Sequence, residues 1–539
     1  MSNVECRQCY VIRRFTMKKK VLSALLCAAM AVSMLAGCGG SKSDSKEADK
    51  SATESTKAAS DTFTFAIGGD TGNTLNPITA DDRWGLMTCH MVYSPAYYIY
   101  QDGTMDWILA ESMDASEDGK VYTMKLKEGL KWSDGEPLTA DDIVFTFNSI
   151  NDMKQNLYVG GEPIKVEKVD DTTVTFTLAE PSASVVELLS AETFILPKHI
   201  FEGKGSFDVN MLEDQVVGSG PYMLEEYKTG EHLKFVKNSN YANGEANIDT
   251  IVYRIIENSD TASLALQKQE VDALSVTVDQ VDTFEGDDNF TVSKYSEGRV
   301  SYLRLNSVAP SMKDKDYREG IFRALNRDEI MTAAFTSEDY YKLGYTFLPY
   351  SSSYYTEDGV EKWDQDVDKA KKLTADGAKS LKLCYVEEST EQKNEALTIQ
   401  AELKAIGIDV ELCGVNQAAY MSAAYDPECT DYDMFLGAYV MGIDPDTFAP
   451  LFDSTKDDMM NFHNADIDAK FNEAATTLDD SKRKELYSEL QVLVAEEALQ
   501  YPMGTSMKTV VTTARVGGLD DAQFVPIYTF GDVSKLTLK

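Results

Sequence analysis

Apolar residues at every second position predict several half-buried strands after residue 60. The stretch Thr62–Ile67 reads TFTFAI and alternates in this way. Val121–Leu126 and Thr173–Leu178 repeat the pattern, and an Asp118-Gly119 pair of the kind found in turns precedes the first of these two. These runs predict sheet structure in the first part of the body.

The stretch after residue 380 combines the strand pattern with a helical one. Leu381–Val386 and Ile408–Leu412 are predicted to be strands. Between them, apolar side chains recur at the spacing of a helix, at Ala396, Ile399, Leu403 and Ile406. Ser389 with Gln392 forms a capping box for this helix, and Gly407 ends it. A strand, a helix and a strand at this spacing predict a parallel pair, so the body is expected to be mixed α/β.

A basic start followed by a short apolar run marks the beginning of the chain as a leader. Met17 is followed by three lysines and the apolar run Val21–Leu35. The run is short for a membrane span and ends in Leu-Ala-Gly, a small-residue cleavage site. Residues 1–37 are therefore predicted to be a signal peptide with its true start at Met17, and residues 1–16 have no role in it. A membrane anchor that is never cleaved is the alternative.

The cysteine that follows Leu-Ala-Gly, Cys38, resembles that of a bacterial lipobox, which is acylated and becomes the mature N-terminus. Cys38 is therefore the expected lipidation site. Residues 39–60 contain no aromatic and no large aliphatic side chain, so residues 38–60 are predicted to be a lipidated, disordered tether. The body is expected on the extracellular face of a bacterial cell membrane, held by the lipid anchor only, or in the periplasm if the host has an outer membrane.

Acidic residues dominate the body once the leader is removed. The whole chain has a formal net charge of −38, and without residues 1–37 the value is −43. Such a surface is repelled by phosphate backbones and anionic headgroups, which argues against nucleic acid as a partner. At 539 residues, of which 43% are hydrophobic, the chain is long enough for two or more lobes.

Four cysteines remain for the folded body: Cys89, Cys384, Cys413 and Cys429. Four in so long a chain do not make a disulfide framework. Cys384 and Cys413 lie on the two strands predicted after residue 380, so a bridge between them is conceivable. Buried free thiols are the preferred interpretation.

The sequence gives only weak signals for a metal site. Cys6 and Cys9 have the spacing of a ligand pair, but no second pair and no histidine lies near them. The four histidines, His90, His199, His232 and His463, are far apart. Asp364, Asp366 and Asp368 mimic the start of a calcium-binding loop, but Lys369 stands at the position that requires glycine. The start of a helix is predicted there instead, because aspartate near a helix N-terminus favours the dipole.

The longest recognisable block is Leu126–Phe145, LKEGLKWSDGEPLTADDIVF, in which Asp134-Gly135 predicts a turn and Thr139 a helix cap. Further blocks follow along the body: Leu75–Pro77, Gly218–Tyr222, Ile251–Leu274, Tyr302–Asn306, Tyr317–Ile330, Asp433–Asp446 and Tyr487–Ala498. In this order they resemble family 5 of the extracellular solute-binding proteins of bacterial ABC importers, which includes oligopeptide, dipeptide and nickel binders. The resemblance covers residues 61–539.

The resemblance implies a two-lobed α/β fold of the periplasmic-binding-protein type (type II, cluster C-like), with a hinge and a ligand cleft between the lobes. Lobe I is expected to span residues 61–302 and lobe II residues 303–505, and residues 506–539 return to lobe I. We use the names lobe I and lobe II for these ranges. Two crossings make a hinge, and closure of such a hinge around a ligand is the expected mode of binding.

The resemblance also points to the stretch Gly437–Asp446 as part of the ligand site. In peptide-binding relatives the equivalent stretch carries an aspartate that pairs with the α-amino group of the peptide, and this chain has Met441 there. Asp444 or Asp446 would then supply the charge, or the ligand has no amino group at this point. A turn is the alternative interpretation of Asp444-Pro445-Asp446.

Other candidate contact residues are less specific. Gly437 and Tyr439 lie on the segment that faces the cleft in relatives. Ser219 and Gly220 could offer backbone groups to a ligand, although such glycines more often make a turn. Trp84 could line a pocket, although an irregularly spaced aromatic residue is more often part of the core.

The sequence is therefore expected to be a substrate-binding lipoprotein that captures peptides and delivers them to an ABC permease and its ATPase. It is expected to be a monomer without cofactor or metal, and not an enzyme, because no nucleophile elbow, HExxH motif or phosphate loop is present. Two alternatives remain open: a binder of a non-peptide solute of the same family, such as nickel, a metallophore or a sugar, and a secreted surface enzyme. A signalling or adhesion lipoprotein is a third class.

Overall fold

Strands and helices alternate along the chain. The computed structural model describes residues 61–71, 75–80, 82–100, 103–154, 157–190, 193–204, 216–440, 442–456, 459–461 and 463–539. The strands in these residues are β1 (Thr62–Ile67), β2 (Tyr97–Ile99), β3 (Met105–Trp107), β4 (Ala110–Ala115), β5 (Val121–Leu126), β6 (Tyr158–Val159), β7 (Glu162–Pro163), β8 (Lys165–Asp170), β9 (Thr173–Thr177), β10 (Tyr222–Lys228), β11 (His232–Lys237), β12 (Thr250–Ile255), β13 (Ala273–Val276), β14 (Phe290–Leu305), β15 (Tyr341–Leu343), β16 (Ser380–Val386), β17 (Asp409–Val415), β18 (Met434–Val440), β19 (Gln500–Thr513), β20 (Val516–Gly517), β21 (Phe524–Val525), β22 (Thr529–Phe530) and β23 (Thr537–Leu538).

The two longest helices of the described residues lie in lobe II. The α-helices in the described residues are α1 (Arg83–Val92), α2 (Ala140–Lys154), α3 (Val185–Ser190), α4 (Lys198–Phe201), α5 (Ser259–Gln267), α6 (Val278–Val281), α7 (Lys315–Ala324), α8 (Arg327–Phe335), α9 (Val367–Leu373), α10 (Thr390–Ala405), α11 (Gln417–Ala424), α12 (Ala449–Phe452), α13 (Ala465–Thr476), α14 (Asp480–Glu496) and α15 (Leu519–Ala522). None of them combines the length and apolar character that crossing a membrane requires.

The strand–helix–strand unit predicted after residue 380 is confirmed. Its two strands, β16 and β17, pair in parallel from Ser380↔Asp409 to Val386↔Val415. The Ser389 side chain accepts a hydrogen bond from the Gln392 backbone N–H at 3.2 Å and caps α10, and Gly407 follows the helix with a φ of +85°. Gln392 does not complete the capping box, since its side-chain oxygen accepts instead from the Val386 N–H. Local patterning was sufficient to predict this unit.

Cys384 and Cys413 are register partners in this parallel pair. The four described cysteines, Cys89, Cys384, Cys413 and Cys429, have free thiols. Burial raises the pKa of the Cys384 thiol to about 12, so this thiol is not ionised at physiological pH.

The largest sheet joins strands of both lobes. Its order in the described residues is β10-β11-β12-β1-β13-β19-β14-β18-β16-β17, and β15 pairs with β19 off this path. The two long strands β14 and β19 lie at its centre and pair antiparallel from Phe290↔Thr513 to Arg304↔Gln500. The predicted crossings near residues 302 and 505–510 fall on these two strands, while the lobe boundaries themselves stay a prediction.

A bulge interrupts the pairing of β14 with β19. Ser296 pairs with Met507 and Val300 with Thr505, so three residues of β14 lie opposite a single residue of β19. The middle one, Gly298, has a φ of +67°, which glycine adopts without strain. Bulges bend a strand and redirect its side chains. Here the redirected side chains are those on either side of Gly298, and both are charged.

A smaller sheet, β4-β5-β9-β8, forms part of lobe I together with α2. The predicted cap of α2 is confirmed, because the Thr139 hydroxyl accepts from the Asp141 N–H at 3.3 Å. Phe147 of α2 and Phe176 of β9 are fully buried, with ring centroids 5.0 Å apart. Burying such a ring contributes about 1.5–3 kcal/mol. Both rings belong to a core cluster that also contains Val185 and Leu189 of α3.

One hydrophobic core continues across the two central strands. Ala262 and Leu266 of α5, in lobe I, belong to the same core cluster as Leu303, Ile321 and Leu436 of lobe II. All five are at most 2% exposed. Apolar packing therefore accompanies the long strands where they pass from one lobe to the other.

Candidate functional site

The candidate site begins where β18 ends. Gly437 lies opposite Tyr302 of β14, and a Cβ atom at Gly437 would come within 2.7 Å of that ring, so no larger residue fits there. Tyr439 folds back over the following turn: its hydroxyl donates to the Thr447 carbonyl at 3.2 Å, and its ring lies 5.1 Å from that of Phe448. The end of β18 is thus held against the turn that follows it.

Asp444 caps this turn and pairs with an arginine. Its side chain accepts from the Asp446 N–H at 2.9 Å and begins a 3-10 helix, Pro445–Phe448. Its two carboxylate oxygens also accept from Nη1 and Nη2 of Arg483 at 2.5 and 2.6 Å. The Arg483 side chain is 4% exposed and that of Asp444 12%. The charge of Asp444 is therefore compensated within lobe II, as the turn interpretation of Asp-Pro-Asp requires.

Glu187 of α3 reaches the same turn from lobe I. One carboxylate oxygen accepts from the Ile443 N–H at 2.6 Å, and the other accepts from the Asp444 N–H. We call Glu187 and these two backbone amides the latch. Close by, the Ala183 N–H donates to the Ala475 carbonyl at 2.9 Å. The two lobes are thus hydrogen bonded to each other through α3 and the segment that precedes it.

The position of Glu187 is fixed within lobe I. The Tyr97 hydroxyl donates to the Val186 carbonyl at 2.6 Å, and the Ser190 hydroxyl donates to the Tyr97 carbonyl at 2.9 Å. Burial and the nearby charge of Asp444 raise the pKa of Glu187 to about 7, against the lowering effect of the two N–H donors and of Arg483. The carboxyl group therefore changes its charge near neutral pH.

A cavity of about 770 Å³ opens beside the latch. This volume is typical of small-molecule sites. Lobe I contributes Tyr158, Val159, Gly160, Gly161, Glu180, Pro181, Ser182, Ser184, Glu187 and Leu188, and lobe II contributes Asp446, Thr447, Pro450, Thr455, Lys456, Asn472, Ala475 and Thr476. A molecule bound there touches both lobes.

The charged side chains on the walls of this cavity are three acids and one base. Glu180, Glu187 and Asp446 lie on these walls, together with the Lys456 ammonium group. Burial raises the pKa of Asp446, while Lys456 lowers it, and the Tyr487 hydroxyl lies 3.5 Å from its carboxylate. Carboxylates in excess of cations favour a ligand that brings a positive group, such as an ammonium.

Trp84 lies half-buried in the first turn of α1. Its backbone N–H donates to the capping Asp82 carboxylate at 2.9 Å. The indole ring packs on Gly68 and Gly69 after β1, where a Cβ atom at Gly69 would meet the ring nitrogen at 2.3 Å. Trp84 does not line the cavity beside the latch.

Ser219 and Gly220 lie inside lobe I, away from the other candidates. The Ser219 hydroxyl accepts from the Ser94 N–H at 3.1 Å, and the Ser94 hydroxyl donates to the Ser219 carbonyl at 3.0 Å. The Gly220 N–H donates to the Val92 carbonyl at 2.7 Å, and its carbonyl accepts from the Asn238 side chain. Because these polar groups are engaged within the protein, we leave both residues out of the proposed site.

Three sequence predictions fall outside the described residues: Met441, the lipidation site Cys38, and the whole leader and tether of residues 1–60. Two important residues, Glu187 and Arg483, were not predicted from the sequence. Their partners lie 256 and 39 residues away along the chain, and no local motif marks them. Among the described residues, no group of three or more His, Cys, Asp or Glu side chains is placed to hold a metal ion.

Comparison with known proteins gives consistent matches over the whole body. A sequence model described as bacterial extracellular solute-binding proteins, family 5 Middle, matches residues 107–459. The structure of the ABC transporter substrate binding protein CtaP from Listeria monocytogenes is 37% identical with a TM-score of 0.83, and the match covers 88% of this chain and 99% of CtaP.

Two curated proteins match over most of their length. The oligopeptide-binding protein AppA of Bacillus subtilis is 27% identical over 515 residues, which are 89% of this chain and 93% of AppA. Heme-binding protein A of Haemophilus influenzae is 24% identical over 542 residues, with 93% and 97% covered. The similarity therefore extends well beyond the segment that the family model matches.

Proposed function

Because the chain belongs to family 5 of the bacterial extracellular solute-binding proteins, we propose that it captures peptides outside the cell and delivers them to the permease of an ABC importer. Members of the family bind solutes for such importers and have a two-lobed α/β fold, which this chain shares. A peptide is the proposed solute because the similar AppA of Bacillus subtilis is an oligopeptide-binding protein.

The observation that carries this proposal is the cavity beside the latch, whose walls come from both lobes. A solute that touches both walls binds the closed arrangement more tightly than the open one. It shifts the population toward closure by that difference in affinity. The two long strands β14 and β19 form the proposed hinge, and their antiparallel pairing keeps the lobes aligned while the angle between them changes.

The end of β18 suits an extended peptide. β16 pairs with β18 only at Met434 and Phe435, five residues before β18 ends at Val440. Past this point a peptide backbone can add to the edge of the strand, as in other complexes that extend a sheet. Gly437, Tyr439, Met441 and Asp446 remain the proposed contact residues, and Asp444 serves the turn.

We propose that Cys38 carries the lipid anchor and that the body works at the outer surface of the membrane as a monomer. Replacement of the acylated residue, Cys38→Ser, is expected to move the protein from the membrane fraction to the soluble fraction of the host. Cys89→Ser, in the body, is the matched control and is expected to leave it in the membrane fraction. Membrane association of the Cys38 variant would contradict the anchor.

Native mass spectrometry tests the solute. The full chain is purified without added ligand and then mixed with a tryptic digest of casein. Retained peptides are expected, in a ratio of one per protein molecule. Retention of haem, a metal complex or a sugar, with no peptide, would contradict peptide capture. It would favour a non-peptide solute, the second candidate suggested by the similarity to heme-binding protein A of Haemophilus influenzae.

A further inference from the structure

A second contact between the lobes lies at the C-terminal end of α13, close to the latch. The Ala183 N–H of lobe I donates to the Ala475 carbonyl, in the last turn of this helix, at 2.9 Å. Carbonyl groups in the last turn of a helix have no partner within the helix. Lobe I therefore supplies a hydrogen-bond donor that the end of α13 lacks, and water replaces this donor when the lobes separate.

Leu478, which follows α13, packs on the turn between β4 and β5 of lobe I. A Cβ atom at Gly119 in this turn would lie 2.4 Å from Cδ1 of Leu478 and 3.5 Å from Cβ of Pro181. Only glycine leaves room for the leucine methyl group, and the φ of +65° at Gly119 also favours glycine. Leu478 is 48% exposed in this contact, and separation of the lobes exposes its covered part as well. The hydrophobic effect therefore favours the contact.

The lobe I side of this contact is fixed by hydrogen bonds within lobe I. The Gly119 N–H donates to the Ser116 carbonyl at 2.9 Å, and the Tyr122 hydroxyl donates to the Ser182 carbonyl at 3.4 Å. We call the residues that meet here the docking contact: Gly119, Pro181 and Ala183 of lobe I with Ala475 and Leu478 of lobe II. All atoms of the docking contact belong to the chain, so its formation does not require a solute.

We propose that the docking contact holds the lobes together before any solute is bound, so that the empty protein is mostly closed and a solute enters only after the contact opens. A hydrogen bond of this kind contributes about two- to tenfold to the ratio of closed to open molecules. The two hydrogen bonds of the latch add to this contribution. The inference goes beyond peptide capture, because it concerns the protein before it binds, and only its kinetic test rests on the proposed function.

The docking contact acts equally on the closed protein with and without solute. Loosening it releases empty molecules into the open form, which alone admits a solute to a cavity between the lobes, and so raises the association rate constant. It also loosens the closed form that holds a solute, and raises the dissociation rate constant by a similar factor. The dissociation constant then changes little. A contact that formed only with solute bound would change the dissociation rate constant alone.

Small-angle X-ray scattering of the full chain without ligand, at pH 7, tests closure of the empty protein. Leu478→Asp brings a carboxylate to the turn that contains Asp118, and repulsion is expected to raise the radius of gyration above that of the wild type. Leu478→Ala, which adds no charge, should give a smaller change in the same direction. Leu397→Asp on α10 is the matched control, since Leu397 is 47% exposed, and should equal the wild type. Equal radii for all four proteins, with equal melting temperatures, would overturn the proposal.

Stopped-flow fluorescence measures the two rate constants, with a labelled peptide that the wild type retains from a tryptic digest of casein. In Leu478→Asp both constants are expected to rise by about three- to tenfold, while the dissociation constant changes by about twofold at most. Faster dissociation with unchanged association would overturn closure of the empty protein. If the wild type retains no peptide, peptide capture fails, and the scattering comparison alone decides whether the docking contact closes the empty protein.

Discussion

Lowering the pH from 7 to 4.5 is expected to favour contact between the two lobes through Glu187. In the structure this carboxyl group lies between the lobes, and its pKa is raised from the ordinary 4.5 to about 7, mainly because it has lost water. When the lobes separate, water returns and the pKa falls back toward 4.5. The closed arrangement therefore binds the proton more tightly than the open one, and protonation favours closure.

The size of this effect follows from the two values. A difference from 4.5 to about 7 corresponds to at most about 3 kcal/mol, or roughly three-hundredfold in the ratio of closed to open molecules. The contribution is complete below pH 4.5 and is lost as the pH rises through 7. Asp444 and Arg483, which lie beside Glu187, form an ion pair with each other.

Small-angle X-ray scattering of the full chain without ligand measures this balance. The radius of gyration is expected to increase from pH 5 to pH 8 in the wild type. Glu187→Gln, which has no charge to lose, is expected to keep only the weaker dependence that the raised pKa of Asp446 provides. Glu180→Gln, exposed on the same wall of the cavity, is the matched control and should behave as the wild type. Identical curves for the wild type and Glu187→Gln would refute the reasoning.

Three further predictions concern stability. Arg483→Met leaves Asp444 almost buried without its partner and should lower the free energy of unfolding in urea by about 3–5 kcal/mol, most of which Asp444→Asn should restore in the double variant. Gly218→Ala places a methyl group 2.0 Å from the Val92 carbonyl oxygen, and calorimetry should show a lower melting temperature, by an amount equivalent to about 1–3 kcal/mol. Glu395→Gln should stabilise the fold by about 5 kcal/mol at pH 9 and by less than about 1 kcal/mol at pH 5. The reason is that a pKa of about 8 makes the wild type lose stability as the pH rises from 4.5 to 8, and equal melting shifts at both pH values would contradict this.

Local signals in the sequence predicted the elements that local interactions build. The parallel pair β16–β17 was predicted from the alternation of apolar and polar residues. The cap of α10 was predicted because the Ser389 hydroxyl can accept a hydrogen bond from the N–H three residues later, that of Gln392. The aspartates after residue 363 begin a helix as predicted, since Asp366 caps α9 and accepts from the Lys369 N–H at 2.9 Å. In each case the interacting groups lie within a few residues of one another, and spacing alone identifies them.

The candidate site was only partly predictable, because its contacts join distant parts of the chain. The resemblance pointed to the segment that holds Asp444, but the partner of that carboxylate, Arg483, is one of many cations on amphipathic helices. Glu187 looks like an ordinary acidic residue in an apolar helix. Its role depends on the contact between α3 and the turn after β18. The order of the strands and the relative position of the lobes determine this contact, and the periodicity of apolar residues predicts neither of them.

The bulge in β14 also has a mechanical consequence. β14 and β19 are hydrogen bonded to each other on both sides of the bulge. The two connections between the lobes therefore do not bend independently, and a rotation of one lobe against the other deforms both strands together. A pair of strands bends most easily where the ladder of hydrogen bonds between them is interrupted, and here the interruption lies between Ser296 and Val300. Glu297 lies within this stretch and accepts a hydrogen bond from Arg83 of α1 at 2.5 Å. The most easily deformed part of the strand pair is therefore joined directly to a helix of lobe I, and any bending there changes the surroundings of this ion pair.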